Sequence, residues 1–173
     1  VILTHAGAEI ITPLTLETIS GNRVVKDMFD SDRHFEVEHI SLAKLADLFL
    51  VAPATANFIG KMASGIADDM LTTTVMATTA PVMIAPAMNT NMYLDAATQA
   101  NIETLKRRGC EFIDPATGRL ACGDEGIGKL AAVEDIVRAV LDKLNVKRDL
   151  EGKRVLVTAG PHTGGHRPCA LYY

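Results

Sequence analysis

The sequence predicts a doubly wound parallel α/β domain. Short apolar runs of strand length alternate with amphipathic helical stretches, two of those runs end in the same Ala-Pro-Ala, and helix-boundary residues punctuate the segments between them. The chain opens on VILTH, a strand stub. TPLTLETISGN follows as a short helix, with Pro13 near its start and Gly21 after its end. Residues 23–38 are mostly charged and read as loop. HISLAKLAD is a short helix with Ile40, Ala43 and Ala46 or Leu45 on one side. DLFLVAPAT has the length and apolar density of a strand buried on both faces, which completes a βαβ pattern. From Ala56 to about Thr79 the period of Phe58, Met62, Ile66 and Met70 predicts a helix, with Gly60 and Gly65 as close-packing positions. PVMIAPA is the next buried strand. LDAATQANIETLKRRG is an amphipathic helix with basic residues in its last turn and Gly109 where a C-terminal cap belongs. CEFIDP is a further strand, ATGRLACGDEGIGKL a Gly-rich loop, and VEDIVRAVLDKLN a closing helix.

These elements form one unit over residues 1–145. Residues 146–152 read as a charged linker, and 153–173 begin with a fresh strand, KRVLVTAG, that looks like the start of a second α/β unit too short to fold alone. The 173 residues are enough to bury a core. A formal net charge of −4 provides no basic footprint for nucleic acid, and no apolar run reaches the roughly 18 residues of a membrane span. No signal peptide is visible at VILTHAG, so a cytoplasmic location is expected. Seven methionines, most of them between Met62 and Met92, suit an adaptable apolar surface as well as a core. The three cysteines, Cys110, Cys122 and Cys169, have neither disulfide-framework nor zinc spacing, and no metal is expected.

In an open parallel sheet, ligands bind beyond the carboxyl ends of the strands. The segments there are THAGAEIITP, APATANF, APAMNTNMY and the Gly-rich loop. In each Ala-Pro-Ala, the proline stops the ladder and the alanines leave room for a flat ring or a phosphate. Thr55-Ala56-Asn57 enters a helix whose first N–H groups can take an anion; the alternative is a plain cap by Thr55 or Asn57. His39 is either a surface histidine or a base that titrates near neutrality. ACGDEGIGKL contains G-x-x-x-x-G-K, yet Leu130 stands where a P-loop needs Ser or Thr and no apolar strand leads into its first glycine, so the stretch reads as a mobile flap carrying Cys122. Cys110, at a strand start, reads as a small core residue. Asp68 and Asp69 read as a cap or a contact to a neighbouring subunit.

HISLAKLAD, APATAN, PAMNTNMY and GRLACGDEGIGK, in that order, resemble the decarboxylase half of the bacterial bifunctional phosphopantothenoylcysteine decarboxylase/phosphopantothenate–cysteine ligases, within the wider group of flavin-dependent cysteine decarboxylases. The resemblance runs from Val1 to about Ala159, and DLEGKRVLVTAGP resembles the first strand of the ligase half. It implies a flavodoxin-like, Rossmann-like fold and FMN as cofactor, with Thr4, Ala54, Thr55, Ala56, Asn57, Ala87 and Met88 as cofactor-binding residues. Asn89 matches the asparagine that binds the carboxylate to be lost, and Met92, Ala121 and Gly123 accompany it at the substrate. His39 matches the active-site histidine and Cys122 the proton donor of the flap.

The implied reaction oxidises the substrate's cysteinyl thiol toward a thioaldehyde, releases CO2, and reduces the resulting enethiol after Cys122 protonates it, giving 4′-phosphopantetheine from phosphopantothenoylcysteine. The resemblance also implies a homotrimer and, as in the bifunctional enzymes, assembly of trimers into a dodecamer. The family opens with a strand and glycine-rich turn resembling GGIAAYK; this sequence starts after them, so that strand and part of the FMN site are expected to be missing. HTGGHRPCALYY departs from the ligase pattern, and its His162, His166 and Cys169 are not read as a metal site. The alternatives are a peptidyl C-terminal cysteine decarboxylase, a non-catalytic regulatory subunit, which retention of His39 and Cys122 opposes, and prenyl transfer to flavin, which would not need a Cys122 flap.

Overall fold

A computed structural model describes residues 1–28, 38–120, 123 and 125–144. Helices α1 (His5–Ala8) and α2 (Pro13–Ser20) each start on a threonine. The Thr4 hydroxyl accepts the Gly7 N–H and the Thr12 hydroxyl that of Thr15, so first-turn donors that helix geometry leaves orphaned find partners. Gly21 closes α2 at φ 65°, a left-handed position that glycine takes without strain. The expected VILTH strand is shorter than its sequence suggests. Ile2 alone bridges Val25 in parallel, with Leu3 N–H donating to the Val25 carbonyl. Its partner lies inside the stretch read as loop. Val24 and Val25 are buried, and burial of this apolar pair outweighs the charged residues around it.

Helix α3 (Glu38–Leu45) precedes strand β1 (Phe49–Ala54). Then come α4 (Ala56–Ser64), α5 (Met70–Ala77), β2 (Val82–Pro86), α6 (Thr90–Leu94), α7 (Ala96–Arg107) and β3 (Glu111–Phe112). The hairpin β4 (Ala116–Arg119) and β5 (Glu125–Lys129) leads to the last described helix, α8 (Val133–Leu144). Strands β1, β2 and β3 form a parallel sheet in that order. Because side chains alternate across a strand, the neighbours Ile84 and Ala85 of β2 face opposite sides. Ile84 joins Phe58, Ile59, Ile102 and Leu105 under α4 and α7, whereas Ala85 joins Ala131 and Ile136 under α8. Both faces of β2 are therefore covered by helices, as a doubly wound sheet requires. Ile59, Ile84 and Leu105 are almost completely buried, each worth about 1.5–3 kcal/mol of apolar transfer.

Several expectations change in detail. β1 is not buried on both faces: Leu50, Ala52 and Pro53 are exposed, because within the described residues β1 is an edge of the three-stranded sheet. On α3 only Ala43 is buried; Ile40 and Leu45 face outward. The helix expected from Ala56 to Thr79 is two helices. Gly65 ends α4 at φ 72° with nothing near its α-carbon, so it is a cap and not a packing position, and Ile66 is exposed between the helices. Asp69 then starts α5 through a capping box with Thr72. Asp68 and Asp69 converge on Lys61, whose Nζ lies 2.7 and 3.0 Å from their carboxylates. The CEFIDP strand shrinks to two residues, and Gly109, at φ 94°, turns the chain after α7 as expected.

Burial acts to raise the Asp69 pKa, but the Thr72 N–H, the Lys61 ammonium and the Thr72 hydroxyl together outweigh it and hold the carboxyl below its usual value. The unfolded chain then binds the proton more readily than the folded one. This contribution to stability is present above the ordinary carboxylate pKa of about 3.9 and is lost as pH falls through the lower folded value. Asp69→Ala should cost about 1–2 kcal/mol in urea melts at pH 7, and the difference from the parent should shrink as the pH is lowered below about 4.

Candidate active site

The carboxyl ends of β1 and β2 lie side by side. Phe49, Leu50 and Val51 pair with Val82, Met83 and Ile84; the register then slips, and Ala54 pairs with Pro86. The two strands stay joined to the last residue, since the Ala87 N–H donates to the Ala54 carbonyl at 3.0 Å. Ala54, Ala85 and Pro86 are fully or almost fully buried, so the point where each chain leaves the sheet is fixed by packing below it. Next to that floor in the chain are the small or flat residues Ala52, Pro53, Ala56 and Ala87. Thr55 caps α4, its hydroxyl accepting the Phe58 N–H at 3.3 Å. The cap reading is thus realised by Thr55 and not by exposed Asn57. It leaves the Ala56 and Asn57 N–H groups as first-turn donors at the mouth of the floor.

Asn89 follows β2 directly and is half-buried. It is the N-cap of α6: its Oδ1 accepts the Asn91 N–H at 2.8 Å and its carbonyl accepts the Tyr93 N–H. That cap orients the amide. Its oxygen is turned to the helix and its NH2 is the amide's donor half. The two asparagines and two methionines of PAMNTNMY thus make a capped one-turn helix in which Met92 is half-exposed.

The Gly-rich stretch is more ordered than a loop. β4 and β5 pair antiparallel, Gly118 opposite Gly126 and Arg119 opposite Glu125. β5 rests on the segment that follows β2, with the Met88 N–H donating to the Gly128 carbonyl at 2.9 Å. Gly128 has φ 129°, and a Cβ built there would stand 2.3 Å from the Met88 carbonyl oxygen; one on Gly126 would stand 2.3 Å from Thr90 Oγ1. Sequence reasoning passed over Gly126, Gly128 and Thr90. The available signal was glycine at alternate positions of a strand, which marks close backbone approach. Exposed Gly123, at φ 93°, donates its N–H to the Leu120 carbonyl. Ala121 and Cys122 lie outside the described residues, as do the linker at 146–152 and His162, His166 and Cys169.

The structure thus gathers Ala54, Thr55, Ala56, Ala87, Met88 and Asn89 at one end of the sheet, with β5 laid against Met88–Thr90. Thr4 caps α1 after the short Ile2–Val25 pairing. His39, half-buried, enters at the second residue of α3, which packs on α5 and accepts the Thr78 hydroxyl at the Ala43 carbonyl. No described contact joins Thr4 or His39 to Asn89. Cys110 precedes β3, at the opposite end of the parallel sheet, and packs against the core. Burial pushes its thiol pKa up, only partly offset by Arg108, so it stays protonated and serves as packing. An open groove of about 420 Å³ between β3 and α8, lined by Phe112, Ile113 and Ala139, lies toward that same end beside the Glu111–Lys143 ion pair; it is remote from Asn89.

Comparison with known proteins agrees with this architecture. The flavoprotein family profile matches residues 1–145. The chain is 47% identical over 161 residues to the coenzyme A biosynthesis bifunctional protein CoaBC of Haemophilus influenzae, covering 93% of this chain and 40% of that protein. It therefore spans about two fifths of the length of the curated relatives it matches. A solved PPC decarboxylase, a cysteine-to-serine mutant complexed with pantothenoylaminoethenethiol, superposes with TM-score 0.73 at 32% identity, covering 83% of this chain and 81% of that one. The FMN-dependent cysteine decarboxylase SpaF superposes with TM-score 0.70 at 31% identity, covering 82% and 77%. By fold, by strand-end geometry and by sequence, this chain belongs to the flavoprotein family, among the flavin-dependent cysteine decarboxylases.

Proposed function

We propose that the chain is the FMN-dependent decarboxylase unit that converts phosphopantothenoylcysteine to 4′-phosphopantetheine in coenzyme A biosynthesis. The observation that carries this reading is the Asn89 amide, oriented by its own helix cap at the end of β2. The residues beside it fit a flavin. Alanines and a proline make a flat floor over the joined ends of β1 and β2, and the first-turn N–H groups of α4 open onto it. Ala54, Thr55, Ala56, Asn57, Ala87 and Met88 would hold the group, with Thr4 contributing from the start of α1. When bound, FMN supplies a two-electron acceptor that also returns the electrons, so the overall reaction is a decarboxylation without net redox change.

The chain's own residues do the remaining work. Asn89 holds the carboxylate with neutral donors, and Met92, Ala121 and Gly123 border the substrate. A neutral amide orients the carboxylate without the deep ground-state stabilisation that an arginine would add before CO2 leaves. His39 orients or deprotonates the substrate thiol, and Cys122 gives its proton to the enethiol carbon. The close sequence match to a coenzyme A biosynthesis protein over nearly the whole chain supports this substrate over a peptide ending in cysteine. In this reading residues 1–145 are the decarboxylase unit, 146–152 the linker and 153–173 the start of a ligase-like domain. The chain works as a cytoplasmic homotrimer, built further into a dodecamer. Among the described residues no helix is long and apolar enough to cross a membrane.

The decisive experiment supplies the purified protein with FMN and phosphopantothenoylcysteine and follows CO2 release beside Cys122→Ser. Release of CO2 with 4′-phosphopantetheine by the parent, and CO2 with an accumulating unreduced product in the variant, is the expected result. No CO2 from the FMN-loaded parent sinks the proposal. Asn89→Asp keeps an oxygen to cap α6 but replaces the donor NH2 with a repelling charge. It should melt within a few degrees of the parent while kcat/KM falls on the order of a hundredfold or more. A melting temperature and rate that both match the parent would remove Asn89 from the carboxylate site.

A further inference from the structure

β5 touches the chain on both sides of Asn89. Before it, the Met88 N–H donates to the Gly128 carbonyl, and the Met88 carbonyl oxygen occupies the space where a Gly128 side chain would begin. After it, Thr90 Oγ1 occupies the space where a Gly126 side chain would begin. That hydroxyl is buried without a hydrogen-bond partner in the described structure, a cost that the close approach of β5 imposes. A Cβ at Gly128 would lie 2.3 Å from the Met88 oxygen and 3.5 Å from the Asn89 carbonyl carbon; at Gly126 it would lie 2.3, 3.0 and 3.2 Å from Oγ1, Cγ2 and Cβ of Thr90. At Gly128 the obstacle is backbone, which cannot swing aside. At Gly126 it is a side chain anchored on the first residue of α6.

We propose that Gly126 and Gly128 are positioning residues for Asn89: by letting β5 seat directly on the Met88–Thr90 backbone, they set where the Asn89 amide meets the substrate carboxylate. This rests on the carboxylate-holding role given to Asn89 above. Neither glycine touches substrate in this account. Each acts through the backbone that carries Asn89, whose cap hydrogen bond to Asn91 turns any movement of residues 88–90 into a movement of the amide. Relieving a 2.3 Å contact to an ordinary one displaces that backbone by roughly 1 Å, and misplacement on that scale costs about a hundredfold where geometry controls the interaction.

The test separates position from general folding by comparing two ligands that differ only in the carboxylate. Phosphopantothenoylserine, whose hydroxyl replaces the oxidisable thiol, and its decarboxylated counterpart phosphopantothenoylethanolamine are titrated calorimetrically into the FMN-loaded protein, with thermal melts alongside. The parent should prefer the carboxylated ligand. In Gly126→Ala, whose φ is not left-handed, that preference should fall about tenfold or more while affinity for the decarboxylated ligand stays within about twofold. Gly128→Ala should show the larger loss, since it adds left-handed strain to a backbone clash. The paired variant Gly126→Ala/Thr90→Ala, which removes Oγ1 and Cγ2 from the contact, should recover most of the preference lost in Gly126→Ala alone. A folded Gly126→Ala with an unchanged preference, or one that weakens both ligands equally, overturns the proposal. So does failure of the paired variant to recover. A parent that binds both ligands without preference overturns the Asn89 assignment first, and this inference with it.

Discussion

The site depends on the parallel pairing of β1 with β2, which persists to the last residue of both strands. The Ala87 N–H to Ala54 carbonyl bond closes the ladder, and Ala54, Ala85 and Pro86 are packed so tightly that the exit points cannot drift. Ile84 and Ala85 send the two faces of β2 into different helix layers, so moving β2 along its axis would disturb both cores at once. Whatever leaves the ends of these strands inherits their rigidity. The first turn of α4, the alanine floor, Asn89 and the seat for β5 are all within a few residues of that fixed line. Function placed on short segments of this kind needs few contacts of its own, because the scaffold has already paid the entropy of placing them.

Two charged clusters lie toward the other end of the sheet. α4 starts at the carboxyl end of β1, so its last turn, with Lys61 between Asp68 and Asp69, reaches toward the other end of the sheet. The Glu111–Lys143 pair and the Lys106 ammonium over the Phe112 ring lie at β3, with Glu111 at its first residue. Beside Asn89 in the chain are Met88 and Thr90, on which β5 is seated through Gly126 and Gly128, with Glu125 and Lys129 at its two ends.

The layered architecture was legible because buried strands and amphipathic helices impose different periods on the chain, and PVMIAPA, DLFLVAPAT and VEDIVRAVLDKLN carry those periods plainly. The capping of α4 by Thr55 was legible as one of two alternatives. What failed did so for identifiable reasons. The stretch GIADDM holds both a helix stop, Gly65, and a helix start, Asp69, yet the continuing run of Phe58, Met62, Ile66 and Met70 concealed the break. The β4–β5 hairpin has almost no apolar alternation, since its strands read ATGR and EGIGK. Its pairing is held by backbone hydrogen bonds and by its seat on residues 88–90, neither of which leaves a hydrophobic pattern. The short pairing of Ile2 with Val25 was hidden by the charges that surround two valines.

The two cysteines of the unit show how position selects among identical side chains. Cys110 precedes β3, is half-buried against the core, and has its thiol pKa raised by burial. It lies at the opposite end of the parallel sheet from the strand carboxyl ends. Cys122 falls in sequence between β4 and β5, next to exposed Gly123 and four residues before the first of the glycines that seat on Thr90 and Met88. β5 itself is fastened beside Asn89 through backbone, by glycines that contribute no side chain.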